Sequence, residues 1–217
     1  IKSIIVASSD KAYGEYPVDK MPYKENYPLI PKYPYDTSKA CADMISKSYS
    51  IEEYGLPIVI TRFANIYGPG QLNFSAIVPD SIRSALGYTK LIPRSNGLMV
   101  RDFLYVEDVS NLYILIAQEL SINKSIKGEI FNAGSNLPIN IKSLVSIIYK
   151  LLKNNSELER IINEMDGKET VGEIFHQHMS YEKVYQFFGW KPNHSLEQGI
   201  KLSIDWYDKY LKRNNHV

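Results

Sequence analysis

Tyr35 and Lys39 stand four residues apart in the stretch YDTSKACAD, at the start of a helical pattern, and therefore share one helix face. A phenol with its ordinary pKa of about 10 is protonated near neutrality. Making it a base near pH 7 takes a shift of about three units, or about 4 kcal/mol, and one close ammonium in a dry site supplies much of that. A serine hydroxyl bonding the same substrate oxygen would complete an acid/base set for an alcohol, and Ser9, Tyr35 and Lys39 are the residues for it. Asp10 and Lys11 follow Ser9 directly and add a carboxyl and an amine for proton traffic. On the residues alone two plainer readings stay open. A Tyr-x-x-x-Lys pair is also ordinary packing on a helix face, and Ser9–Lys11 is also a solvated turn at a strand end.

The elements that must position these groups follow from pattern. KSIIVASS (2–9) is a short apolar run of the kind buried in a parallel sheet, so Ser9 stands at a strand's carboxyl end, where open α/β sheets bind ligands. A helix is predicted over 36–54, with Ala40, Met44, Ile45 and Ser48 at three- and four-residue steps, closed by Gly55 and Pro57. PIVITRF (57–63) is a second buried strand, and the three together form a strand, crossover helix, strand unit. Beyond YGPG (67–70), helices are predicted in SAIVPDSIRSAL, EDVSNLYILIAQEL, NIKSLVSIIYKLLK with Asn140 as cap, SYEKVYQFF stopped by Gly189, and SLEQGIKLSIDWYDKYL with a Ser195–Gln198 capping box. DFLYV and GEIFNAG read as strands.

Composition limits the function classes. With 44% apolar residues the chain buries a sizeable core, and Lys plus Arg total 25 against 24 Asp plus Glu, with no basic run to track a phosphodiester backbone. No nucleic-acid partner is expected. The apolar runs SIIVA and LYILIA are too short to span a bilayer, so no membrane partner is expected either. A single cysteine, Cys41, allows no internal disulfide, is expected to be a small buried residue, and points to a reducing, cytoplasmic setting. His176 and His178 would share a face of a strand, but two ligands do not make a metal site, and no metal is expected.

Six stretches in order, SSDKAYG, YDTSKACAD, TRFANIYGPG, VRDFLYVEDV, GEIFNAGS and GWKPNHSLEQGIKLSIDWY, resemble the extended short-chain dehydrogenases acting on nucleotide sugars, the NAD-dependent epimerase/dehydratase family. The resemblance implies an α/β fold: the carboxyl half of a doubly wound, Rossmann-type parallel sheet, plus a smaller mixed α/β substrate domain. Residues 1–66 and 103–134 would belong to the NAD-binding domain, 67–102 and 135–217 to the sugar-nucleotide domain. It further implies NAD as cofactor, a nucleotide-diphosphate sugar as substrate, and a homodimer. Tyr35 would be the base on the sugar C4 hydroxyl, Lys39 would bind the nicotinamide ribose and lower the Tyr35 pKa, and Ser9 would share the hydroxyl. Asn65 and Arg101 would contact the substrate diphosphate, a task that suits the guanidinium fork; without the motif, Arg101 would read as an ion pair with Asp102 or Glu107.

Within this family an acid and a second ionisable group after the serine mark 4,6-dehydratases, and Ser9-Asp10-Lys11 is nearest the CDP-glucose 4,6-dehydratase branch, although dTDP-glucose dehydratases have Asp-Glu there. Asp10 would be the acid for the C6 hydroxyl and Lys11 the base at C5. A 4-epimerase would need only Ser9, Tyr35 and Lys39, and a non-catalytic binding protein none of them. The family's Gly-rich dinucleotide turn is not found ahead of these motifs; GPG at 68–70 follows the second strand instead. On the order of a hundred further residues are therefore expected upstream, and the fragment alone is expected to be inactive.

Overall fold

The computed structural model describes residues 1–170 and 172–214. The last three residues, assigned to the substrate domain from sequence, lie outside these. The strands are β1 (Ile4–Ser9), β2 (Ile58–Phe63), β3 (Asn65–Tyr67), β4 (Val100–Arg101), β5 (Phe103–Tyr105), β6 (Ile130–Ala133) and β7 (Ile139–Asn140). The helices are α1 (Pro34–Tyr49), α2 (Ile77–Ala85), α3 (Val106–Ile122), α4 (Ile141–Leu151), α5 (Asn155–Asp166), α6 (Glu182–Phe188) and α7 (Leu196–Asn214). They fall into two compact units. Unit 1 comprises Ile1–Ile66, Asp102–Pro138 and His176–Asn193; unit 2 comprises Tyr67–Arg101, Ile139–Phe175 and His194–Val217.

Unit 1 is built on a parallel sheet in the order β1-β2-β6, with Ser9 opposite Phe63 and Arg62 opposite Asn132. Central β2 is buried at every position, which is why IVITRF carries no alternation. Helix α3 contributes Leu112, Ile116 and Leu120 to the core at four-residue steps, beside Val59, Phe63 and Phe131. Each such side chain contributes about 1.5–3 kcal/mol by leaving water. Segment 176–193, placed in the second region from sequence, belongs here. Met179 packs with Tyr13 and Tyr23, and Val184 and Trp190 join the α3 core.

Unit 2 is mainly helical, with α4 packed on α2 and α5 and a short antiparallel β4-β7 pair. Asn140 caps α4, its Oδ1 accepting from the Ser143 amide at 2.7 Å. At α7, Ser195 and Gln198 exchange hydrogen bonds at 2.9 and 3.3 Å, as a capping box requires.

Three expectations change. Helix α1 starts at Pro34, whose fixed φ suits a first turn, and stops at Tyr49, where the Ser48 and Ser50 hydroxyls bond carbonyls one turn back. Its inner face carries Asp36, Ala40 and Asp43, whereas Met44 and Ile45 are each 57% exposed, because Asp43 is drawn inward by a buried cation. Cys41 is exposed on the same helix rather than buried. Helix α5, not foreseen in the polar run NSELERIINEMD, buries Leu158, Ile161 and Met165 on one stripe.

Candidate active site

Strand β1 ends at Ser9, and the chain turns at once into a single 3₁₀ turn, Asp10–Tyr13. Ser9 caps that turn: its Oγ accepts from the Lys11 amide at 3.2 Å and donates to Asp10 Oδ1 at 2.9 Å. Asp10 is only 2% exposed. Tyr35, in the first turn of α1, lies close enough to Ser9 for that hydroxyl to act on its phenol, and Lys39 Nζ lies 5.9 Å from the Tyr35 ring centre while donating to the Ala7 carbonyl at 3.1 Å. The structure thus brings Ser9, Asp10, Lys11, Tyr35 and Lys39 to one place at the carboxyl end of β1.

Tyr35 is 56% exposed, so packing does not explain the residue. Its phenol sits above its ordinary pKa: partial burial pushes it up, the Ser9 hydrogen bond pulls it down, and the carboxylates of Asp10 and Asp36 push it up again. This is opposite to the direction expected of a tyrosine activated by Lys39. The ammonium is turned to the Ala7 carbonyl, and burial followed by two carboxylates raises the phenol, so it takes further positive charge at the ring to make it a base.

Asn65 and Arg101 are not part of this cluster. Asn65 lies in unit 1, its amide and Nδ2 both donating to the Asp102 carbonyl at 3.0 and 3.2 Å. Arg101 lies in unit 2, and its guanidinium pairs with Glu173 Oε2 at 2.8 Å rather than with Asp102 or Glu107. Asp102 is itself fully buried, accepting from the Ser135 and Asn136 amides at 2.9 and 3.2 Å. His176 and His178 bond each other, Nε2 to Nδ1, at 3.0 Å.

Sequence reasoning missed what holds the Asp10-Lys11 turn. Tyr13, the last residue of the turn, is fully buried; its hydroxyl donates to Asn132 Oδ1 at 2.8 Å and accepts from Arg62 Nη1 at 2.7 Å. Arg62 in turn forks onto Asp43 of α1, Nε and Nη2 reaching the two carboxylate oxygens at 2.7 and 2.9 Å. Burial lifts the Tyr13 phenol to about 12 despite Arg62. One signal was in the sequence: Tyr35, Lys39 and Asp43 are spaced four apart, a polar stripe along one helix.

A cavity of about 500 Å³ in unit 1 lies elsewhere, lined by Lys24, Glu25, Lys47, Glu129, Glu182 and Lys183 among others. It follows the outer edge of β6, where Glu25 Oε1 accepts from the Asn132 amide at 2.9 Å and Lys183 Nζ donates to the Ile130 carbonyl at 2.7 Å. Charged side chains thus occupy edge groups that would otherwise pair with another strand. None of Ser9, Asp10, Tyr35 or Lys39 lines it.

A family model described as GDP-mannose 4,6 dehydratase matches residues 2–203. The chain belongs to this family. Among its relatives, a bovine dTDP-D-glucose 4,6-dehydratase is 32% identical over 210 residues, covering 95% of this chain and 56% of that protein. Of solved structures, dTDP-glucose 4,6-dehydratase from Bacillus anthracis, in complex with NAD, superimposes with a TM-score of 0.80 at 29% identity, over 97% of this chain and 63% of that one. A UDP-N-acetylglucosamine 4-epimerase from Methanobrevibacter ruminantium is similar as well, with a TM-score of 0.79 at 27% identity, over 97% of this chain and 64% of that one. The chain therefore spans somewhat over half the length of the family members it matches. No helix among the described residues is long and apolar enough to cross a membrane.

Proposed function

We propose that the protein is an NAD-dependent nucleotide-sugar 4,6-dehydratase. The observation that carries this reading is the turn in which Ser9 caps Asp10 and Lys11 directly beside Tyr35 and Lys39. The donors of this chain fit the nicotinamide end of the cofactor: a Lys39 ammonium and a half-exposed phenol at the carboxyl end of a parallel strand. Bound there, NAD supplies hydride acceptance from C4 and hydride return to C6. Tyr35 takes the proton of the C4 hydroxyl, and Ser9 bonds the same oxygen. The resulting 4-keto group acidifies C5; Lys11, which can act as a base only in its neutral form, takes the C5 proton, and Asp10, in its protonated form, gives a proton to the C6 hydroxyl, which leaves as water. Lys11 then gives its proton back to C5 of the double bond so formed, while C6 would take the hydride that the cofactor supplies.

Asn65 and Arg101 are assigned to the diphosphate, Arg101 for its fork of donors. Asp10-Lys11 favours the CDP-glucose branch, while the relatives' names carry dTDP or UDP, so the substrate class is a nucleoside-diphosphate hexose. Exposed Met44, Ile45 and Tyr49 on α1 support a homodimer through that helix.

The similar epimerase favours a second reading, a nucleotide-sugar 4-epimerase. A substrate carrying deuterium at C4 separates the two. Label found at C6 of a 4-keto-6-deoxy product supports the dehydratase; label returned to C4 of an epimerised sugar overturns it.

A further inference from the structure

Arg101 is buried, its side chain only 6% exposed, and the two terminal nitrogens of its guanidinium are held differently. Nη1 donates to the Val100 and Phe175 carbonyls at 2.8 and 3.5 Å. Those acceptors are fixed, because β4 pairs with β7 and the Val100 amide bonds the Phe175 carbonyl at 2.9 Å. Nη2 touches Met99 Sδ at 3.6 Å and donates to Glu173 Oε2 at 2.8 Å. The Glu173 side chain is 50% exposed and follows Gly172, which adopts φ +75° with no atom within 4 Å of where a Cβ would stand. One edge of the fork is thus fastened to backbone and the other to a half-exposed carboxylate that follows a glycine.

A buried guanidinium needs an anion beside it. A carboxylate and a phosphate oxygen present the same acceptor to the same N–H edge, so they compete for it. We infer that Glu173 is an intramolecular stand-in for the substrate's phosphate: it neutralises Arg101 in the free protein and yields Nη2 when a diphosphate arrives. It thereby weakens diphosphate binding and keeps Arg101 closed to weakly held anions. The inference rests on the assignment of Arg101 to the diphosphate, and the test separates the two.

The probe is dTDP, titrated calorimetrically into the wild-type chain, Glu173→Gln and Arg101→Met, with inorganic pyrophosphate as the base-free control. A half-exposed ion pair is worth little, so Glu173→Gln is expected to bind both probes about three- to tenfold more tightly. Its affinity is also expected to fall more steeply with salt, because salt no longer weakens a competitor as it weakens the ligand. Arg101→Met is expected to lose about tenfold or more. Glu173→Gln binding equally or more weakly, while Arg101→Met loses affinity, overturns the stand-in and leaves the Arg101 assignment in place. Unchanged binding by Arg101→Met, or no binding by any of the three chains at millimolar dTDP, overturns that assignment and the inference with it. If Glu173→Gln fails to fold by circular dichroism, Glu173→Ala carries the same test.

Discussion

Asp43→Asn is the sharpest probe of how the site is held. Asp43 and Arg62 are each 3% exposed in their side chains, and the pair is bidentate at 2.7 and 2.9 Å. Burial pulls the Arg62 guanidinium down, but Asp43 and Tyr13 more than offset it, and the net direction is up. The amide substitution keeps the size and removes the charge, leaving Arg62 with the Tyr13 hydroxyl at 2.7 Å and the Glu25 carbonyl at 3.4 Å. Stranding one member of a buried pair costs about 3–5 kcal/mol, about a fifth or more of a typical domain stability of about 5–15 kcal/mol. With a urea slope of about 2 kcal/mol per molar, the unfolding midpoint should fall by about 2 M. Replacing both partners, Asp43→Leu with Arg62→Met, removes the stranded charge and should recover much of the loss. A midpoint shift of Asp43→Asn below about 0.3 M, or a double variant worse than the single one, would refute the reasoning. Below its unfolding temperature, Asp43→Asn should also turn over more slowly, since the Arg62–Tyr13 bond fixes the turn bearing Asp10 and Lys11.

Burial holds the Tyr13 and Tyr149 phenols at about 12. Their folded values lie above the ordinary value of about 10, so their contribution is whole below about pH 10 and is lost as pH rises through about 12; urea midpoints flat to pH 12 would contradict it. Tyr35→Phe should leave stability within about 0.5 kcal/mol, because the ring is 56% exposed, yet in the complete protein abolish oxidation at C4 with nucleotide-sugar affinity retained; a complete variant that turns over normally but unfolds early would make Tyr35 a packing residue. Asp10→Asn should slow elimination by about 10²- to 10⁴-fold while oxidation survives, leaving bound NADH whose absorbance does not decay in a single turnover. Because Asp10 holds the Tyr35 phenol up, the same variant should move the pH profile of oxidation to lower pH, and an upward movement would count against the cluster.

Local signals were legible where one element decides them. β2 reads as a buried strand because it is buried at every position, whereas β1, read the same way, is only partly buried; the caps of α4 and α7 were visible because each is closed within four residues. What distant residues decide was not legible. Nothing near Asp43 says that it faces inward; its partner is 19 residues away on β2. The Glu173 partner of Arg101 is 72 residues away, and neighbouring Asp102 looked the better candidate because it is adjacent, although its carboxylate is occupied by the Ser135 and Asn136 amides. Helix α5 was hidden by its charged outer face, since three buried residues in twelve leave little periodic signal.

The buried charges and the exposed phenol belong to one design. A phenol open to solvent gains no fixed position from packing, so its geometry depends on what lies around it: the neighbouring Ser9, a turn capped by that serine, and a buried tyrosine ending the turn. That tyrosine is held by a guanidinium whose other edge is clamped to α1, the helix that carries Tyr35 and Lys39. The loop of contacts is closed: strand end to turn, turn to Tyr13, Tyr13 to Arg62, Arg62 to α1, and α1 back to β1 through Lys39 and the Ala7 carbonyl. A displacement of either element must break a buried, charge-assisted hydrogen bond, which is far stiffer than the half-exposed contacts at the surface. The groups proposed for acid/base work are therefore held in register, Tyr35 half-exposed and the Asp10 carboxyl buried, as a site that moves protons over hydrogen-bond distances requires.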